Sequence, residues 1–392
     1  MSQDDVFPDG FEPTARVVMV GAGELARMTH RAAIDYGISL HVLANAASDP
    51  AVIAGAIHTL GRPERFLDLA AAAGYGQVVT FEHELVPAAH LRALEQAGHR
   101  LGPRAGALAF AQDRLYARHQ LASLEYLSVP LPAFAPATSV ADVTAFAANH
   151  GWPVVLKARG GGYDSRGVHV LTAPNDVRLR IFDTPSAAEP AWVLEEHLEM
   201  AAEFTILVAR RSSGYVLSYP PVSTRQESGM CREFTMPARI PESVASDASR
   251  LAESIIAGLD ATGICAVEFF WTTDGRLLLN ELTLGPHNSG LATIEATVTS
   301  QFHQHLRAVL DWPLGPTTLR SPAATVKLIG GSHKVDLAAR LPPALSIPGA
   351  HVHLYAKSFR PGRTFGHVTA LGVSIEDALD TARTAAAMLT EP

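Results

Sequence analysis

Two rhythms of apolar and polar positions run along the chain. In the first third, ARVVMV (15–20) predicts a buried strand, ELARMTHRAAIDYG (24–37) a helix stopped by Gly37, and ISLHVLA (38–44) a second strand. A helix at 66–74, a strand at 77–81 and a helix at 84–98 continue this β-α-β order, which predicts an open, mostly parallel sheet. After a helix at 113–124 the texture changes. Strands separated by Gly and Pro are expected at 152–159, 167–172, 191–197, 204–210 and 215–222. A helix at 246–259 precedes a hairpin, ICAVEFFW (264–271), TTDG and RLLLNEL (276–282). The mixed order is α+β. Beyond Pro313 come short strands at 324–329, 351–355 and 366–371, then a helix opened by Ser374 and Asp377 in the manner of a capping box. Its Ile375, Ala378, Leu379, Ala382, Ala386 and Leu389 form one stripe for packing on that β unit. Three units follow: 14–110, 111–312 and 313–392.

Composition narrows the class. The 392 residues are 47% hydrophobic and 18% charged, enough to build cores in more than one domain. A net charge of -8 argues against a nucleic-acid partner. No apolar run approaches the roughly 18 residues of a membrane span, and the acidic opening is unlike a secretory signal. The expectation is a soluble, cytoplasmic protein with no membrane partner. Cys231 and Cys265 lack companion ligands and are expected to be buried thiols outside any disulfide.

Four features carry chemistry. Gly21-Ala22-Gly23-Glu24-Leu25-Ala26 joins a strand to a helix, as a dinucleotide fingerprint does, but no acid ends the second strand and the first acid is Asp49. The turn then either aims backbone N–H groups at a substrate anion or is purely structural. A second glycine loop, Arg159 to Gly167, joins two strands and can close its N–H groups over phosphates, with Lys157 on the strand before it. In the 264–282 hairpin, pairing 271 with 276 places 268 opposite 279 and puts Glu281 diagonally on the face of Glu268. Two carboxylates sharing a largely apolar hairpin predict a bound cation, and magnesium carrying nucleotide phosphates suits it. His287, Asn288 and Ser289 follow directly and can donate hydrogen bonds to an activated carboxyl group. Lys357, Arg360 and Arg363 around Pro361-Gly362 are either a phosphate clamp or solvated charges. His303 and His305 would lie on different helix faces, and His351 and His353 share a strand face without further ligands, so neither pair predicts a metal.

Together these residues resemble the carboxyaminoimidazole ribonucleotide synthetase family of ATP-grasp enzymes, in order, from Val17 to the last helix. The motifs are Gln112-Asp113-Arg114, Lys157 with Gly162-Tyr163-Asp164, Glu195 with Glu203, Glu268, Asn280-Glu281 and His287 to Gly290. Ser300-Gln301-Phe302 with Arg307, and Arg360 to Arg363 with Gly366-His367, complete the set. The resemblance implies an ATP-grasp fold with an N-terminal parallel-sheet domain, a lid over roughly 125–197 and a small C-terminal β-rich domain. It implies that Arg114, Lys157, Gly162, Tyr163, Asp164, Ser165, Arg166 and Gly167 hold ATP phosphates, with Asn280 beside them. Glu195, Glu196 and Leu198 would line the adenine pocket, Glu203 would take the ribose hydroxyls, and Glu268 and Glu281 would carry Mg2+. The substrate's phosphate would lie between Gly23, Glu24, Leu25 and Glu82 on one side and Lys357, Arg360 and Arg363 on the other. In the family, ATP phosphorylates bicarbonate and the amine of aminoimidazole ribonucleotide captures the carboxyl group. A homodimer is common there.

The departures gather on the acceptor side. Glu24 stands for the usual Gln, with Ala26 for the next glycine; Gly285 and Leu291 stand for an Arg and a His, and Thr364 for a Lys. The usual E-N-x-H is replaced by Val222 to Arg225. Three of these changes make the pocket less positive, so the acceptor amine, the activated acid or both are expected to differ from the family's. The leading expectation is ATP-dependent formation of an acyl phosphate captured by an amine, carboxylation of aminoimidazole ribonucleotide being the nearest named reaction. Its rivals are a carboxylate–amine ligase of natural-product metabolism and a non-catalytic nucleotide-binding paralogue.

Overall fold

The computed structural model describes residues 12–161, 167–178, 191–227 and 230–390. Strands β1 (Ala15–Val20), β2 (Ile38–Ala44), β3 (Ile57–Leu60) and β4 (Val78–Phe81) form a parallel sheet in the order β3-β2-β1-β4. The apolar run of β1 is buried except at Arg16, which is why it lies inside the sheet. The helix Glu24–Asp35 packs through Leu25, Ala26, Met28, Thr29, Ala32 and Ala33, and Gly37 beyond it takes φ +64°. Short β3, whose residues alternate half-buried and exposed, was not foreseen because IHTL is too brief to show a period.

A small antiparallel sheet follows, in the order β5-β8-β6-β7, from β5 (Phe134–Ala137), β6 (Val154–Ala158), β7 (Val168–Leu171) and β8 (Trp192–Glu196). The helix Val140–His150 covers it, opened by a Ser139–Asp142 capping box, and the two share a core of Val143, Phe146, Val154, Leu156 and Leu194.

The remaining nine strands among the described residues make one sheet. They are β9 (Met200–Arg210), β10 (Val216–Ser218), β11 (Val222–Glu227), β12 (Met230–Met236), β13 (Gly263–Thr272), β14 (Leu277–Thr283), β15 (Ala323–Ile329), β16 (Ala350–Leu354) and β17 (Thr364–Leu371). Their order is β14-β13-β9-β11-β12-β15-β17-β16, with β10 beside β9. The expected strand 215–222 is two strands: Tyr219 turns inward, its hydroxyl donating to Thr299 O at 2.9 Å, and β11 starts afresh at Val222. Because β15 pairs with β12, the strands after Pro313 continue the sheet of the middle unit. The last helix, Ile375–Thr390, buries Ala378, Ala382, Ala385, Ala386 and Leu389 against it. Asp377 N–H donates to Ser374 Oγ at 3.1 Å, closing that helix's first turn.

Candidate active site

The hairpin β13–β14 differs from its expected register in two places. The turn pairs Trp271 with Leu277, one residue off, which by itself would turn Glu281 to the far face. A bulge between Glu268 and Phe269 then adds a second residue, so that Phe269 faces Leu279 but Glu268 faces Glu281. The two shifts cancel in parity. The carboxylates are directly opposite each other, not diagonal, and Asn280 is aimed at the same place: its Nδ2 donates to Glu268 Oε2 at 3.3 Å.

Behind this face lies a buried charge network. Lys157 Nζ is 2.6 Å from Glu195 Oε2, donates to Asn280 Oδ1 at 3.0 Å, and sits 5.5 Å from the Phe270 ring centre. Arg118 donates to Glu195 Oε1 through Nε (2.9 Å) and Nη2 (2.7 Å), and to Asn280 O at 2.7 Å. Arg118 and Glu195 are each 2% exposed. Burial alone would raise the Glu195 carboxyl, but Lys157 and Arg118 hold it down at about 2. Burial pushes Glu268 the other way, well above the usual carboxylate range, with Glu281 and Glu203 adding repulsion. That crowding is what a divalent cation relieves. Among the described residues no three His, Cys, Asp or Glu gather as a metal cage. A two-carboxylate site of this kind suits Mg2+, which takes its remaining ligands from water and phosphates.

The three side chains at 112–114 make three separate connections around this face. Gln112 Nε2 donates to Glu84 O (2.8 Å) and Val86 O (2.6 Å). Asp113 caps the helix Arg114–Ser123 and binds the Arg159 guanidinium at 2.6 Å. Arg114 Nη2 donates to Glu281 Oε2 at 3.0 Å, and its Nη1 to Ala158 O. Of the second glycine loop, Gly162, Tyr163, Asp164, Ser165 and Arg166 lie outside the described residues; Gly167 takes φ +77° and accepts, through its carbonyl, from Ala158 N at 2.7 Å.

These elements frame a cleft of about 650 Å³, which also takes in Glu203, His287 and Lys327. Glu203 accepts from Gln226 Nε2 at 3.0 and 3.1 Å, just past the segment Val222 to Arg225. Leu198 is buried at the cleft wall. The side chain of Glu195 is spent on its cations, and Glu196 accepts from Ala133 N (3.0 Å) and pairs with Arg276 (3.1 Å). Both carboxylates therefore shape the strand end instead of reaching freely into the cleft. Cys231 is only partly buried and lines the cleft, against the expectation of two buried thiols; Cys265 is buried.

The His287 loop is fixed by Gln301, fully buried, which accepts from His287 N (2.9 Å) and donates to His287 O (2.7 Å). Ser289 is also fully buried, so it does not line the cleft as expected; its Oγ lies 2.8 Å from His287 Nδ1. The Ser289 N–H donates to Nδ1 at 3.4 Å, which leaves the ring proton on Nε2, 3.5 Å from Glu268 Oε1. Burial and then Lys327 hold this imidazole down at about 4, hence neutral. Asn288 faces the cleft.

The first glycine turn is filled from within the chain. Its N–H groups do not await a substrate anion: Glu82 takes those of Gly23 (2.6 Å), Leu25 (3.1 Å) and Ala26 (3.1 Å). A Cβ at Gly23 would come within 2.6 Å of that carboxylate, so glycine is needed to admit it. Burial, with Glu24 beside it, pushes the Glu82 carboxyl up to about 7. Glu24 itself reaches Lys357 Nζ at 2.5 Å. In the basic turn, Gly362 N donates to Gly330 O (2.8 Å), Arg363 Nη1 donates to Ser358 Oγ (2.9 Å), and Arg360 is exposed.

Three family models match the chain in order: a ribonucleotide synthetase pre-ATP-grasp domain at 14–112, an ATP-grasp domain at 122–302 and a phosphoribosylaminoimidazole carboxylase C-terminal domain at 323–381. The N5-carboxyaminoimidazole ribonucleotide synthase of Mycobacterium tuberculosis is 40% identical over 387 residues, covering 95% of this chain and 87% of that one. The chain belongs to the N5-carboxyaminoimidazole ribonucleotide synthase family. Corynebacterium ammoniagenes has a synthase of the family 37% identical over 396 residues, covering 97% and 95%. The solved synthetase of Thermus thermophilus superposes with a TM-score of 0.84 at 31% identity, covering 96% and 99%. A structure from Aspergillus clavatus, holding ADP and 5-aminoimidazole ribonucleotide, gives 0.85 at 26%, covering 96% and 98%. The chain is thus an ATP-grasp ligase, a class that uses ATP and Mg2+. Relatedness along the whole length does not favour the rival readings of a natural-product ligase or a non-catalytic paralogue.

Sequence reasoning missed the structural partners in this synthase site. Arg118, Phe270, Gln226 and Lys327 carry no motif of their own, and Gln301 was seen only as part of one. Arg118 did carry a signal: a lone cation four residues after Arg114 falls on the same helix face.

Proposed function

We propose that this chain carboxylates the exocyclic amine of 5-aminoimidazole ribonucleotide with bicarbonate while converting ATP to ADP and phosphate. The supporting observation is the convergence of Lys157, Asn280, Glu268, Glu281 and His287 on one cleft, in a chain related to the synthases along its length. ATP transfers its terminal phosphoryl group to a bicarbonate oxygen. The amine nitrogen then attacks the activated carboxyl carbon, phosphate leaves, and the nitrogen gives up a proton.

Lys157, held by Glu195 and Asn280, presents a fixed cation to the phosphates, with Arg114 on the same cleft. Glu203 offers acceptors to the ribose, and the strand end from Glu195 to Leu198 borders the base. Mg2+, carried by Glu268 and Glu281, would offset phosphate charge during transfer. The neutral His287, its ring set by Ser289 and Gln301, donates through Nε2, and Asn288 donates beside it, toward the reacting carboxyl group. The ribonucleotide lies toward Gly23, Glu24, Leu25 and Glu82, its phosphate toward Lys357, Arg360 and Arg363. The working form is a homodimer in the cytoplasm, a reading supported by family resemblance alone; sedimentation tests the first part.

ADP release decides the reaction. With bicarbonate present, aminoimidazole ribonucleotide is expected to stimulate ATP turnover, and absence of stimulation would exclude this assignment.

A further inference from the structure

Two electropositive features on the acceptor side already hold carboxylates of the chain itself. The helix N-terminal amides of Gly23, Leu25 and Ala26 are filled by Glu82, and Lys357 is held by Glu24. The second contact spans 333 positions and joins the first residue of the helix Glu24–Asp35 to the segment after β16. Its side chains are 21% and 14% exposed, so water screens this pair less than a surface pair. Lys357 is further fixed 5.6 Å from the Tyr355 ring, and Tyr355 is held by a 2.7 Å contact between its hydroxyl and His367 Nδ1. Glu24 is therefore the ion-pair partner of Lys357 among the described residues, in a position where a phosphate would need the same ammonium.

We propose that Glu24 is a specificity-determining residue, an internal competitor that a phosphorylated acceptor must displace from Lys357. The inference rests on the acceptor being phosphorylated, as in the proposed function. A glutamine at 24 keeps an oxygen acceptor for Lys357 but removes the charge that repels a phosphate. The chain as it stands thus discriminates by charge, taking its phosphorylated acceptor less tightly than its fold allows.

Ribose 5-phosphate, titrated by calorimetry, probes the site without chemistry. Glu24→Gln is expected to bind it about 5–20-fold tighter than the unaltered chain, the range open to a partly desolvated charge competition. Lys357→Met is expected to weaken binding, and in that background Glu24→Gln is expected to bring no gain. In steady-state assays, the KM for aminoimidazole ribonucleotide should fall with Glu24→Gln by a similar factor, while the KM for ATP moves less than about twofold. Equal or weaker ribose 5-phosphate binding by Glu24→Gln would overturn the proposal, as would a gain that survives loss of Lys357. If the unaltered chain shows no ATP turnover with aminoimidazole ribonucleotide, the proposed reaction fails and the binding series alone decides this inference.

Discussion

Burying the Arg118 guanidinium is costly unless its donors are met, and here Glu195 and the Asn280 carbonyl meet them. Replacing Glu195 by Gln would strand two buried cations. The expected loss is about 3–5 kcal/mol of unfolding free energy in urea, with a raised KM for ATP; a loss below about 1 kcal/mol would mean that the network relaxes. His305 gives a second residue-scale prediction. Ile264 N–H donates to its Nδ1 (3.0 Å), so Nε2 carries the proton to Thr80 Oγ1 (2.8 Å), whose hydroxyl donates to Gly102 O (2.6 Å). Burial holds this imidazole down at about 3. The unfolded chain then binds a proton that the folded chain refuses. Stability is present above about pH 6.5 and is lost as pH falls toward 3, at up to about 1.4 kcal/mol per unit from this residue. Denaturant curves at pH 7.5 and 5 check the sign, and a stability that rose on acidification would contradict it.

At the scale of elements, the β13–β14 hairpin sets face to face the two carboxylates proposed to hold Mg2+. Glu268→Gln is expected to lower kcat by about 10²–10³-fold, a loss that higher Mg2+ repairs only in part. Titrating kcat against Mg2+ tests it; full activity would remove Glu268 from the metal role. This hairpin also shows how far sequence could be read. Its two strands were legible from their apolar runs, but the shared face of Glu268 and Glu281 came out right only because the shift at the turn and the bulge cancel in parity. The register was not legible, because a bulge depends on how β13 also pairs with β9, information that lies outside the hairpin. The choice left open at the first glycine turn could not be made from sequence for a similar reason. Gly23 signals a close approach, but the group approaching is Glu82, 59 positions away, and only the fold brings it there.

For the whole molecule, the decisive contact is β12 with β15, where Glu233 pairs with Val326 in the ladder and its side chain binds both Arg225 and Arg383 at 2.8 Å. Ending the chain at Trp312 would leave β12 as an open edge and take Val326 and Arg383 away from Glu233. The expected product is aggregated on size exclusion; a monodisperse fragment would show that the C-terminal strands are dispensable. The same continuity constrains how the enzyme can change its chemistry over time. A C-terminal unit woven into the sheet that carries Glu268 and Glu203 cannot be traded for another as a cassette. Any new acceptor preference has to arrive one side chain at a time, in a scaffold that stays whole.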